Sequence, residues 1–365
     1  MRFRSVTLRA ALLLPVFALL LSACAGAGAT GGSASCTFVN PIGRGADPWV
    51  VKRDSSYYYV QSAQGGITVY RSPTLTAIRQ NGVRVWTPPD TGWNHSNIWA
   101  PELHWIDGKW YIYYAGGRAE GGPFIHQRAG VLESVTDDPQ GAWVDRGMLY
   151  TGNDVTSGHD PIWAIDLTVT RIDGTLYAVW SGWTDNAPAP GPLPDRKAQE
   201  LYIARMSNPY TISSDRVMIA APTASWERGT ELDLQEGPEF LQHGRETFVV
   251  YSTRESWLPA YKLGQLRLTS AGADPLLPSS WVKSGPVFTG APDAGVHGVG
   301  HASFTTSPDG AEDWIVYHSK SKTAPGWNDR VIRMQKFGWK PDGSPDFGTP
   351  VPNGQRVPVP SGQCR

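Results

Sequence analysis

One pattern of apolar and polar positions recurs five times along the chain. A short run with strand-like alternation leads to a turn centred on Asp-Gly or a relative, and a second run dense in aromatic residues follows. The units are DPWVVKRDSSYYYVQS from Asp47, APELHWIDGKWYIYYA from Ala100, DLTVTRIDGTLYAVWS from Asp166, EGPEFLQHGRETFVVYS from Glu236 and ASFTTSPDGAEDWIVYHS from Ala302. Their turns fall at Asp54, Asp107, Asp173, His243 and Asp309, at intervals of 53, 66, 70 and 66 residues. Each interval has room for two further strands and their loops. The pattern predicts an all-β chain folded as a β-propeller, with blades packed radially about a channel. Two separate β-domains are the alternative, but a repeat that runs from end to end leaves no obvious boundary. Closing such a ring requires the two chain ends to meet in one blade.

Composition agrees with strands rather than helices. With 40 Gly and 30 Pro, few long stretches are free of helix breakers. A net charge of -1, with both signs scattered, indicates neither a nucleic-acid surface nor a polybasic membrane patch.

The first residues read as an export signal over 1–23. Arg2, Arg4 and Arg9 precede an apolar run from Ala10 to Leu21, which is short for a spanning helix. Leu21-Ser22-Ala23-Cys24 resembles a bacterial lipoprotein processing box, with Cys24 as the lipidated residue. Ordinary secretion, with Cys24 incidental, is the alternative. Residues 24–36 form a Gly/Ala/Ser tether, and the globular part is expected over 37–365. Within the tether, Gly26-Ala27-Gly28-Ala29-Thr30-Gly31 matches a dinucleotide fingerprint, but no strand precedes it and no helix follows. Apart from Cys24, the cysteines are Cys36 and Cys364. Export permits a disulfide between them, which would tie the ends of the ring; two free thiols are the alternative.

Aligned on their turns, the five units carry Asp47, Ala100, Asp166, Glu236 and Ala302 seven residues earlier. Three of the five are carboxylates. The first strand of each blade lines the channel, so this register predicts that Asp47, Asp166 and Glu236 share one space. Taken singly, each has a structural explanation: Asp47 precedes Pro48, and Glu236 precedes Gly237-Pro238, both turn signals. Taken together, clustered carboxylates repel, so one stays ionised while another keeps its proton near neutrality. Glycosidic bond cleavage requires that division of labour.

The ordered set Ala46-Asp47-Pro48, Trp99-Ala100-Pro101-Glu102, Ile165-Asp166 and Glu236-Gly237-Pro238-Glu239 resembles glycoside hydrolase family 43, over nearly all of residues 40–350. The resemblance implies a five-bladed β-propeller that hydrolyses arabinofuranosides or xylosides with inversion. It implies Asp47 as the general base, Glu236 as the general acid, and Asp166 as the residue that orients the acid and raises its pKa. Trp99-Ala100-Pro101-Glu102-Leu103-His104 and Arg333-Met334-Gln335-Lys336-Phe337-Gly338-Trp339 are most similar to exo-acting arabinofuranosidases. The substrate so implied is arabinan or an arabinose-containing oligosaccharide, cut at the cell surface or outside the cell by a monomer. Branches with the same acids cut xylosides or galactosides, and a non-catalytic glycan-binding propeller is a further alternative.

His301 resembles a channel histidine that in some members helps hold calcium; a hydrogen bond between blades would explain it equally. No cofactor is required by the chemistry, and no zinc or redox-metal spacing occurs. Trp99 is placed to stack on a sugar ring, with Trp163 and Trp183 as weaker candidates. Trp110, Trp180 and Trp314 are expected between blades. Arg330 could reach substrate hydroxyls or form a loop salt bridge.

Overall fold

Alternate residues of a strand point to opposite faces, and in Tyr57-Tyr58-Tyr59-Val60 both faces are covered. Tyr57 and Tyr59 pack with Trp314, Val316, Ile332 and Met334 on one side. Tyr58 and Val60 pack with Leu103, Trp110 and Ile112 on the other. That is why the segment reads as continuously apolar rather than alternating. The computed structural model describes residues 36–63, 65–188 and 196–364, within one unit spanning Cys36–Arg365. The expected export signal, the lipidated Cys24 and the tether lie outside the described residues, apart from Cys36.

Five antiparallel sheets form the ring. Blade one runs Trp49–Arg53, Ser56–Ala63, Gly66–Ser72 and Val83–Trp86; blade two runs Ser96–Ile106, Lys109–Gly117, Arg128–Ser134 and Trp143–Met148. Blade three consists of Ala164–Ile172, Thr175–Gly182 and Glu200–Asn208, with short outer strands Thr211–Ile212 and Val217–Ala220. Blade four runs Gln235–His243, Glu246–Thr253, Lys262–Leu268 and Trp281–Phe288; blade five runs His297–Thr306, Asp313–Lys320 and Arg330–Trp339. The first strand of each blade touches the first strand of the next, so these five surround the channel. The core is divided into five wedges, one between each pair of blades. Trp110, Trp180 and Trp314 sit in three of them, as expected.

The ring closes with the chain's beginning. Gly43–Arg44 supplies the outer strand of blade five, pairing with Ile332 and Val331. Thr37–Val39 pairs with Arg356–Pro358, and a disulfide joins Cys36 to Cys364, their Cα atoms 6.1 Å apart. Breaking it by a Cys36→Ser, Cys364→Ser double substitution is expected to cost about 2–4 kcal/mol of stability, since loop-closure entropy is large for so long a loop. Thermal unfolding monitored by circular dichroism checks this. The expected result is a lower Tm with an unchanged spectrum at room temperature, because the strand pairing at both ends remains.

The hairpin turns show where the sequence register slides. Asp107-Gly108 and Asp173-Gly174 have φ of 50° and 84°, and of 48° and 80°, the left-handed pair that a two-residue hairpin needs. In blade four His243 pairs with Glu246, so the turn is Gly244-Arg245 and is not centred on His243. In blade five Thr306 pairs with Asp313 across a longer loop. The position equivalent to Asp47, Ala100 and Asp166 is therefore Gly237 in blade four and His301 in blade five, and not Glu236 and Ala302. All five share a left-handed backbone, with φ of 49°, 39°, 53°, 51° and 44°. In blades two to five a break in strand pairing accompanies it, at Trp99/Glu102, Ile165/Thr168, Glu236/Glu239 and Gly300/Ser303. Such bulges re-aim side chains at the ends of strands.

Candidate active site

The bulges open onto a cavity of about 560 Å³ at one end of the channel. Its lining includes Asp47, Trp99, Asp166, Glu236, His301 and Arg330, and also the weaker sequence candidates Trp163 and Trp183. The three acids thus meet, although Glu236 arrives from the residue before its bulge and not from the bulge itself. Non-glycine residues in the left-handed region cost about 1 kcal/mol or more each; Asp47, Asp166 and His301 all bear that strain and all face this cavity. Gly237 occupies the same backbone conformation with a tight fit against His301. A Cβ there would lie 3.0 Å from the His301 ring, and its φ is +51°.

Asp47 is surrounded by cationic and imidazole groups. Arg330 Nη1 lies 3.0 Å from its Oδ1, and the Nδ1 atoms of His301 and His318 each lie 3.3 Å away. Burial alone would push this carboxyl up, but Arg330, then His301 and His318, together hold it far below the usual carboxylate range. Asp47 is therefore ionised at any working pH. His318 is fully buried, and burial pushes it down to about 4, so it is neutral there.

Glu236 is 9% exposed. Burial, and then the charge of Asp47, push it up to about 7 against a hydrogen bond from Tyr261 and the nearby Arg330. Tyr261 donates its hydroxyl to Glu236 Oε1 at 2.8 Å. Asp166, 4% exposed, is pushed up by burial, then by Glu236 and Asp47. Its Oδ2 accepts the Gly237 amide at 2.9 Å. Asp166 thus grips the backbone beside Glu236, whereas the raised pKa of Glu236 has its main cause in burial.

Glu102 of Trp99-Ala100-Pro101-Glu102 and Glu239 of Glu236-Gly237-Pro238-Glu239 lie deeper, outside the lining of this cavity. Glu102 Oε2 is 3.0 Å from His104 Nε2, and Glu239 Oε2 accepts from Thr168 Oγ1 at 3.4 Å. Burial pushes both carboxyls up, and Glu239 adds to the effect on Glu102.

The donors around His301 do not make the oxygen-rich set that calcium takes. Its Nδ1 is turned to a carboxylate already engaged by Arg330 and His318. Among the described residues no group of three or more His, Cys, Asp or Glu could hold a metal ion.

Aromatic side chains form the walls. Trp163 and Trp183 stack on each other at 4.5 Å with planes 2° apart, and both line the cavity. Trp99, half-buried, faces Phe124 at 5.7 Å, and Phe124 approaches Trp327 at 6.0 Å. Arg196 lies over Phe124 at 4.6 Å and over Trp257 at 5.6 Å. Sequence reasoning missed Phe124, Arg196, Trp257 and Trp327 because connecting loops bring them in. It also missed His318, although a signal existed. Opposite Trp99, Ile165, Glu236 and Gly300, the residues that precede the left-handed positions of blades two to five, the second strands carry Ala115, Ser181, Ser252 and His318. Only the fifth blade puts a large titratable group there.

The sequence profile described as Glycosyl hydrolases family 43 matches residues 38–345. The chain belongs to this family. It is 37% identical over 334 residues to the extracellular exo-alpha-(1->5)-L-arabinofuranosidase of Streptomyces avermitilis, covering 88% of this chain and 65% of that protein. It is 35% identical over 351 residues to alpha-L-arabinofuranosidase 43 of Humicola insolens, covering 93% of this chain and 69% of the relative. The chain thus spans about two thirds of the length of these relatives. The crystal structure of an alpha-L-arabinofuranosidase from Lactobacillus brevis superimposes with a TM-score of 0.77 at 32% identity, covering 87% of this chain and 98% of that one. This family 43 chain therefore has the five-bladed propeller expected of it.

Proposed function

We propose that the protein is an exo-acting α-L-arabinofuranosidase that releases terminal arabinofuranose from arabinan or arabino-oligosaccharides with inversion. One observation carries the reading: a permanently ionised Asp47 and a Glu236 that keeps its proton to about pH 7 face the same cavity. Asp47 is the base that takes a proton from the attacking water. Glu236 is the acid that protonates the leaving oxygen as the anomeric bond breaks. Asp166 positions Glu236 through the Gly237 amide. Arg330 keeps Asp47 ionised and is within reach of sugar hydroxyls, while Trp99 offers a face for a sugar ring. The names of the arabinofuranosidase relatives support the choice of sugar.

The site is built from one chain, and the protein acts as a monomer. The Streptomyces avermitilis relative is extracellular by name; we read this chain as exported too, and held to the cell through Cys24.

The purified protein should release arabinose, and no larger sugar, from linear arabino-oligosaccharides. Among chromogenic glycosides it should cleave the α-L-arabinofuranoside at least tenfold faster than β-xyloside or galactoside. Faster xyloside or galactoside cleavage would shift the substrate within the family. Binding without release would favour a glycan-binding propeller.

A further inference from the structure

Tyr261 lies between the second and third strands of blade four, 1% exposed. Its hydroxyl donates to Glu236 Oε1 at 2.8 Å. Its ring stacks on the imidazole of His318 in blade five, with centroids 5.5 Å apart and planes within 4°. His318 Nδ1 in turn faces Asp47, 3.2 Å from its amide nitrogen and 3.3 Å from its Oδ1. Two buried side chains therefore connect the acid to the base, and neither lines the cavity where the sugar would sit. Space for this arrangement is reserved at Gly300, where a Cβ would fall 2.1 Å from the Tyr261 ring.

We propose that Tyr261 is a positioning residue: its hydroxyl sets the orientation and proton affinity of Glu236, and its ring holds His318 against Asp47. The inference rests on Glu236 and Asp47 being the acid and base. The charged or titratable groups that share the cavity with Glu236 are Asp166 from blade three, Asp47 from blade one, Arg330 and His301 from blade five, and Arg196 from the loop before the third strand of blade three, with His318 behind Asp47. Ser256 adds a weaker hydroxyl contact. Burial pushes the Tyr261 phenol well up, so it remains a donor throughout the active range. A donated hydrogen bond favours the ionised carboxylate. Its loss should let Glu236 keep its proton to higher pH.

Two variants separate the hydroxyl from the ring. Tyr261→Phe should move the alkaline limb of the kcat/KM profile up by about one pH unit, with the acid side unmoved. Its kcat on arabino-oligosaccharides should fall about tenfold, and its kcat on an aryl arabinofuranoside much less. Tyr261→Leu also removes the stack on His318, and should lower kcat on both substrate types about a hundredfold with KM changed less than threefold. A Tyr261→Phe profile superimposable on that of the wild type, with kcat within twofold, would overturn the inference while leaving the acid and base assignments intact. A wild-type protein that hydrolyses neither substrate would instead remove the reading on which it rests.

Discussion

Glu236→Ala is expected to lower kcat on arabino-oligosaccharides about a thousandfold, while an aryl arabinofuranoside with a good leaving group loses about tenfold or less. The asymmetry follows from what the acid does. A sugar alkoxide leaves only if protonated, whereas an activated phenolate leaves nearly unaided. The pH profile gives a second test with a definite sign. Glu236 must be protonated to act, and its pKa is pushed up to about 7. Activity on oligosaccharides should therefore be full well below pH 7 and fall as pH rises through it. In Glu236→Ala, assayed on the aryl substrate, that alkaline limb should vanish. Equal losses on both substrates, or a limb that persists in the variant, would remove Glu236 from the role of acid.

Asp47→Asn should suppress both substrate types, by up to about ten thousandfold. Water must be activated whatever the leaving group, so no substrate bypasses the base. The amide keeps the shape of the carboxylate and can still accept from Arg330 Nη1. Circular dichroism should therefore remain that of the wild type, which separates loss of chemistry from loss of fold. Because Arg330 and the two histidines hold Asp47 below the carboxylate range, the base stays ionised wherever Glu236 is protonated. The two groups define a wide working window on the acid side of neutrality. An Asp47→Asn protein with more than a tenth of wild-type activity would rule out this base.

The fold was legible because its signals are local. Asp-Gly pairs mark the hairpins, and aromatic runs mark second strands buried on both faces. Asp47 and Asp166 were found by counting back from those turns. Glu236 was reached by a count that was off by one. Placing the fourth turn at His243 rather than at Gly244-Arg245 put Glu236 in the register that Gly237 occupies. Glu236 still reaches the cavity because the bulge lets the position before it face that space as well. His301 emerged from resemblance, although its real place is the fifth member of the left-handed ring. Phe124, Trp257 and Trp327 could not be anticipated. Their meeting depends on three loops from three blades, and nothing in the spacing of those loops encodes it.

The blade that receives Gly43–Arg44 draws its remaining strands from the far end of the chain. During synthesis the opening segment therefore has no partner until almost the whole polypeptide has emerged. Blades one to four can pair locally as they appear, but the circle becomes continuous only late, by contacts between segments far apart in sequence. Until that moment the edge of the last blade is an open template. A chain truncated before Arg330 would keep four sheets and still lack the guanidinium that holds Asp47 in its working state.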